Sequence, residues 1–268
     1  MRVVFSLLIF ALFSWGNTIF NGGLEIISIE SDYAGELRVN DKSSLWLDHP
    51  KKDGVKVAFI PVSYYAKNDI NITNSLNNQS SSMLLKLEQK SYKKESISVA
   101  PAKANPPKDV MKRIEKERDE ATQIYRTFSP NLLVNSQFIS PMNSFITSQY
   151  GNTRVFNGSV KSYHGGVDYR AAIGQSVISA NDGIVRIAKD RYYAGKSVVI
   201  DHGGGIYTQY YHLDRIDVKV GQKVLKGDKI GLSGATGRVS GPHLHFGVVV
   251  QNIQVDPLVF IEKFNSLF

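Results

Sequence analysis

Hydrophobic positions along this chain recur mostly with a period of two. Between Asn17 and about Ala100 the runs are short. Leu24 and Ile26 alternate, Ile27 and Ile29 continue on the opposite parity, and Val55, Val57 and Phe59 alternate up to Pro61. Turn-forming pairs at Asn40-Asp41, Asp53-Gly54 and Asn77-Asn78 punctuate them, the signature of strands joined by tight turns. A β-rich domain over residues 17–100 is expected, with no catalytic motif in it. Pro101 to Pro107 has the composition of a linker, and Pro107 suits the first turn of a helix. Val110, Ile114, Ala121, Ile124 and Tyr125 then form a narrow apolar stripe at helical spacing that runs out near Ser129-Pro130. That stripe is expected to dock between two domains. The linker and helix fill residues 101–130, and a second β-patterned domain follows over 131–268.

The chemistry-bearing residues lie in that second half. His243 and His245 are two apart in a strand-like run, so both project to one face, and one can bind a metal while the other stands beside it. His164 and Asp168 keep the same parity, while Gly165-Gly166 between them signals a bulge or a close backbone approach. Two imidazoles and one carboxylate would leave a fourth tetrahedral position open, the mark of a catalytic rather than a structural zinc site. Thr208, Tyr210 and His212 alternate onto one face of an aromatic run, which makes His212 a further candidate for the groove. His202 precedes Gly203-Gly204-Gly205 and reads as a hairpin residue, and His49 lies upstream beside Pro50.

In order, His164-x-x-x-Asp168, Thr208-x-Tyr210-x-His212-Leu213 and Gly241-Pro242-His243-Leu244-His245-Phe246 resemble the LytM/lysostaphin type of zinc metallopeptidase. The likeness runs from about Ser136 to Phe264. It takes in Ser148-Gln149-Tyr150-Gly151, Arg154, Asn181-Asp182-Gly183 and Asp256-Pro257. It implies that His164, Asp168 and His245 bind Zn2+ and that His212 and His243 are catalytic histidines without a bond to the metal; His212 is the expected general base and His243 the group that orients the water or steadies the tetrahedral intermediate, although the sequence does not decide between the two histidines. Arg154, Asn181, Tyr210 and Ser240 become candidates for substrate contact. Val239-Ser240 and Gly247 depart from the residues common in the family, and both bear on the groove wall. The implied fold is mainly β: an antiparallel metallopeptidase domain with an open groove, preceded by the smaller β-rich domain and the linking helix. The implied substrate is peptidoglycan, through its peptide stems. Gram-negative D,D-endopeptidases that cut D-alanine to meso-diaminopimelate cross-links are the most similar members, some with D,D-carboxypeptidase activity and a part in cell shape. A non-catalytic scaffold that activates a cell-wall amidase is the alternative; such members have usually lost metal ligands, and this chain keeps all three.

Composition narrows the setting. Met1-Arg2, the apolar stretch Val3 to Phe13 and Ser14-Trp15-Gly16 read as a signal peptide cleaved after Gly16. The stretch is short of the about 20 residues needed for a spanning helix. An exported protein with no stable membrane insertion after cleavage is therefore expected, and the resemblance to Gram-negative members implies the periplasm as its compartment. The chain has no cysteine, which removes disulfides and thiolate metal sites from consideration. A formal net charge of +8 favours polyanions. Export argues against nucleic acid, and the charged run Lys112 to Glu120 reads as a solvated helix face. Asn71 stands in an Asn-x-Thr sequon whose use would require an exposed side chain.

Overall fold

The structure, a computed structural model, describes residues 18–158 and 160–268; the expected signal peptide lies outside the described residues. The fold is mainly β, with antiparallel pairing almost throughout and two parallel exceptions among the described residues. One is Thr18–Phe20 on Gln79–Glu88, and the other is Lys94–Ile97 on Thr153–Phe156.

The N-terminal part is organised around the antiparallel pair Leu24–Glu30 and Val55–Pro61. Both parities of these strands are apolar because the sheet is covered on both sides. Ile27, Ala58 and Ile60 join Leu37, Ile70, Ile72 and Leu85 in a core of the N-terminal part. Leu24, Val57 and Phe59 point the other way, into the main core with Val198, Phe246, Val248 and Phe260. Burial of these side chains, worth roughly 1.5–3 kcal/mol each, fuses the two parts along one apolar seam. Asn71 is exposed on the strand Ile70–Leu76.

In the second half a ten-stranded sheet places Gly166–Arg170, His243–Val250, Ile206–Ile216, Gly195–Asp201 and Gly183–Arg191 side by side. One face, with Tyr210, Phe246 and Val248, enters the main core. On the other, Ile187, Val199, Tyr207 and Val249 meet Ala121, Ile124 and Tyr125 of the long helix. That helix, Lys108–Tyr125, stops short of Ser129, and its stripe docks on this sheet rather than between two domains. Its charged run is not wholly solvated: Arg113 pairs with Asp190 at 2.9 Å and Glu120 with Lys189, tying the helix to one strand. The C-terminal helix Pro257–Asn265 begins at Asp256, whose carboxylate accepts from the Leu258 amide at 3.0 Å, and it buries Phe260 and Phe264.

Candidate metal centre

The centre is assembled by strand pairing. In the register of Gly166–Arg170 against His243–Val250, Asp168 lies opposite His245. On the other flank His245 lies opposite Tyr211. Cross-strand partners point to the same face about 5 Å apart, so Asp168, His245 and Tyr211 form a row, and the Tyr211 ring stacks on the His245 ring at 5.2 Å. His164 enters from just before its strand, its amide donating to the Asn152 carbonyl at 2.9 Å. Gly166 allows that approach, since a Cβ there would lie 2.3 Å from the Phe246 carbonyl oxygen and 2.8 Å from His245 Nε2.

His164 Nε2, Asp168 Oδ1 and His245 Nδ1 form a triangle with 2.9 Å edges, and all three residues are buried. His164 Nδ1 lies 2.8 Å from the Gln149 carbonyl and donates its hydrogen there, which leaves Nε2 as a lone pair facing a carboxylate. Converging acceptors of this kind call for a cation. The edges fall a few tenths of an ångström inside the about 3.3 Å separation of ligands held 2.0–2.1 Å from a tetrahedral metal. The residues therefore fit a metal ion. Burial alone would raise the Asp168 carboxyl, but the hydrogen bonds and charge of His164 and His245 hold it well below the usual carboxylate range. Arg154 completes its surroundings with a hydrogen bond to the other carboxylate oxygen.

Two further imidazoles stand over the triangle. His243 Nδ1 donates to the Gly241 carbonyl at 2.9 Å, so its Nε2 carries a lone pair; that atom is buried without a hydrogen-bond partner among the described residues, 3.7 Å from Asp168 Oδ1. His212 Nδ1 donates to the Thr236 carbonyl at 2.8 Å, likewise freeing Nε2, and the two rings are 4.8 Å apart. Burial, reinforced by the neighbouring His243 and His245, pushes His212 well below its ordinary 6.5.

His212 reaches this face by breaking the alternation. Its φ is +65°, and the pairing steps from Val198↔Tyr210 to Lys196↔Leu213, one extra residue on the strand. This bulge turns Tyr211 and His212 to the same side. Tyr210 therefore faces the core: its hydroxyl accepts from the Ala180 amide at 2.8 Å and from Thr208 at 3.0 Å, away from the groove. Asn181 is also buried elsewhere, its amide bound to the Ser136 carbonyl at 2.7 Å. Ser240 is exposed, and Arg154 is committed to Asp168.

A cavity of about 670 Å³ opens on the centre, with the long helix as one wall. Arg154, Arg191 and Arg238 all line it. Arg238 is held against Phe156 and Tyr193, 4.1 and 4.4 Å from their ring centroids, and Arg191 lies 4.8 Å over Tyr211. At Gly247 a Cβ would come within 2.4 Å of Gln209 Oε1. The space an acidic side chain would take there is filled by Gln209, which donates to the Tyr125 hydroxyl at 2.7 Å.

Residues 162–257 match the model of Peptidase family M23. The second half of the chain thus carries a segment similar to Peptidase family M23. Its M23 segment is 47% identical over 95 residues to the peptidoglycan DD-endopeptidase ShyA of Vibrio cholerae and 50% identical over 95 residues to ShyB of the same organism. Each match covers 35% of this chain and 22% of the relative, so the chain spans about a fifth of those proteins. Likeness to a solved structure extends beyond that segment. A crystal structure of a peptidase M23 protein from Pseudomonas aeruginosa is similar over 91% of this chain and 95% of its own, with TM-score 0.69 and 27% identity.

Proposed function

We propose that this protein is a zinc-dependent peptidoglycan hydrolase of the periplasm, a D,D-endopeptidase that cleaves the D-alanine to meso-diaminopimelate cross-link. The observation that carries the reading is the buried His164–Asp168–His245 triangle beneath two imidazoles that each present a lone pair. Bound zinc supplies a Lewis acid for the scissile carbonyl and for the attacking water. The chain's own residues do the rest. His212 Nε2 takes the proton of the attacking water and returns it to the leaving amine, a task suited to an imidazole kept neutral by burial. His243 Nε2, unpartnered at 3.7 Å from Asp168, orients the water or steadies the developing tetrahedral charge. Tyr211 and Arg154 hold His245 and Asp168 in place.

The arginine lining of the cavity supports the substrate class, because stem peptides carry free carboxylates. Trimming of terminal D-alanine and a part in cell shape are finer elements of the same proposal. The test incubates the protein with purified Gram-negative sacculi, with and without a zinc chelator, beside His245→Ala, and identifies muropeptides by mass spectrometry. Chelator-sensitive, His245-dependent conversion of cross-linked dimers to monomers is expected, and loss of terminal D-alanine would add carboxypeptidase activity. No conversion by zinc-loaded protein, with sacculus binding unchanged in the variant, would replace the enzyme with an amidase-activating scaffold.

A further inference from the structure

We infer that Glu95, on a strand outside the M23 segment, is a positioning residue of the metal centre. The strand Lys94–Ile97 runs parallel to Thr153–Phe156 with Glu95 opposite Arg154, and the Thr153 amide donates to the Lys93 carbonyl at 2.8 Å. This pairing carries a carboxylate from the N-terminal part of the chain to the edge of the centre. There Glu95 makes no hydrogen bond to the three ligands themselves. It accepts from Ser148 Oγ, 2.9 Å from each carboxylate oxygen, and from Asn152 Nδ2 at 2.7 Å.

Each partner leads on to a ligand. With its hydrogen given to Glu95, Ser148 Oγ presents a lone pair to His164 Nδ1 at 3.1 Å, so the N–H of His164 is shared between Ser148 and the Gln149 carbonyl. Two acceptors then fix the imidazole in the tautomer that leaves Nε2 free. Asn152, held by its side chain, accepts the His164 amide through its carbonyl. The third partner is Arg154, whose Nε lies 3.6 Å from Glu95 Oε2 while Nη2 bonds to Asp168 and to Ser148. A guanidinium on Asp168 competes with a metal dication for the same carboxylate. Glu95 offsets that positive charge and draws the guanidinium toward itself. Carboxylates that orient ligating histidines change metal affinity by about 10–100-fold on mutation.

The inference rests on His164, Asp168 and His245 binding zinc. The test measures zinc affinity of the full protein by competition with a chromophoric chelator, together with the melting temperature of the zinc-free form. The variants are Glu95→Gln, Glu95→Ala, Ser148→Ala and Ser96→Ala, the last on the same strand and exposed. Glu95→Gln preserves shape and removes charge. About 10-fold weaker zinc binding in Glu95→Gln is expected, more in Glu95→Ala, with Ser148→Ala costing less in the Glu95→Ala background than in the wild type. Ser96→Ala is expected to bind as the wild type does. Affinity within two-fold of wild type in both Glu95 variants, with a lowered melting temperature, would reduce Glu95 to a strand anchor and overturn the inference. Equal loss in Ser96→Ala would overturn it too, since strand docking alone would then set the affinity. A wild type that takes up no zinc would instead remove the metal reading itself, and the inference with it.

Discussion

Replacing His212 by Asn separates the proposed catalytic role of this residue from its structural one. His212 adopts φ +65°, a conformation that costs an ordinary L-residue about 1–2 kcal/mol and that Asn tolerates better than most. The Asn amide can also donate to the Thr236 carbonyl where Nδ1 does now, at 2.8 Å. What is lost is a buried ring in contact with His243 at 4.8 Å. These contributions oppose each other, so stability should change by no more than about 1 kcal/mol, or roughly 2–4 °C in Tm for a protein of this size. Turnover should fall by about 10²–10⁴-fold, the usual worth of a positioned general base, or about 3–5 kcal/mol of barrier. The assay pairs kcat on a purified D,D-cross-linked muropeptide dimer with Tm by calorimetry. A variant that retains turnover within ten-fold of wild type would refute the assignment of His212 as the proton acceptor. A fall in Tm well beyond 5 °C would refute the conformational argument.

Tyr210→Phe should cost about 1–3 kcal/mol in denaturant unfolding, because the Ala180 amide loses its acceptor, with kcat unchanged; a selective rise in KM would return Tyr210 to the groove. Arg238→Gln should raise KM for carboxylate-bearing peptides about ten-fold with little change in kcat, in line with one charge-assisted hydrogen bond; unchanged KM would remove Arg238 from substrate recognition. His202, buried between the Asp182 carbonyl and Thr208, is pushed down to about 4 by burial. It stays neutral in the folded protein while the unfolded chain gains a proton below about 6.5. Its contribution of about 3 kcal/mol is therefore complete above pH 6.5 and lost as the pH falls toward 4. Unfolding free energies at pH 7 and 4.5 should thus differ less in His202→Gln than in wild type, and equal differences would contradict the shift.

Strand parity and pairing made part of the centre legible in the sequence. His243 and His245 share a face because alternation holds over their strand, and the Gly165-Gly166 pair marked a close backbone approach that Gly166 makes. Alternation misled where a bulge intervenes: no residue type announces that His212 takes a left-handed conformation, so Tyr210 was grouped with it and Tyr211 was passed over. The apolar residues of both parities in Leu24–Glu30 fit a sheet covered on two sides, but nothing in them says that the second cover is the core of the other half. The C-terminal helix was readable in principle, from Asp256 at its cap, Pro257 in its first turn and Phe260 and Phe264 one turn apart. Glu95 was not readable, because a parallel pairing brings it to Arg154 from far away in the chain.

The central claim is that three residues hold one zinc ion with a position left open beneath His212 and His243. Diffraction from zinc-loaded crystals, recorded on both sides of the zinc absorption edge, tests it directly. The account predicts a single anomalous peak about 2.0–2.2 Å from His164 Nε2, Asp168 Oδ1 and His245 Nδ1, absent in His245→Ala. A peak bonded to His212 or His243, or no peak at this triangle in zinc-loaded crystals, would contradict it.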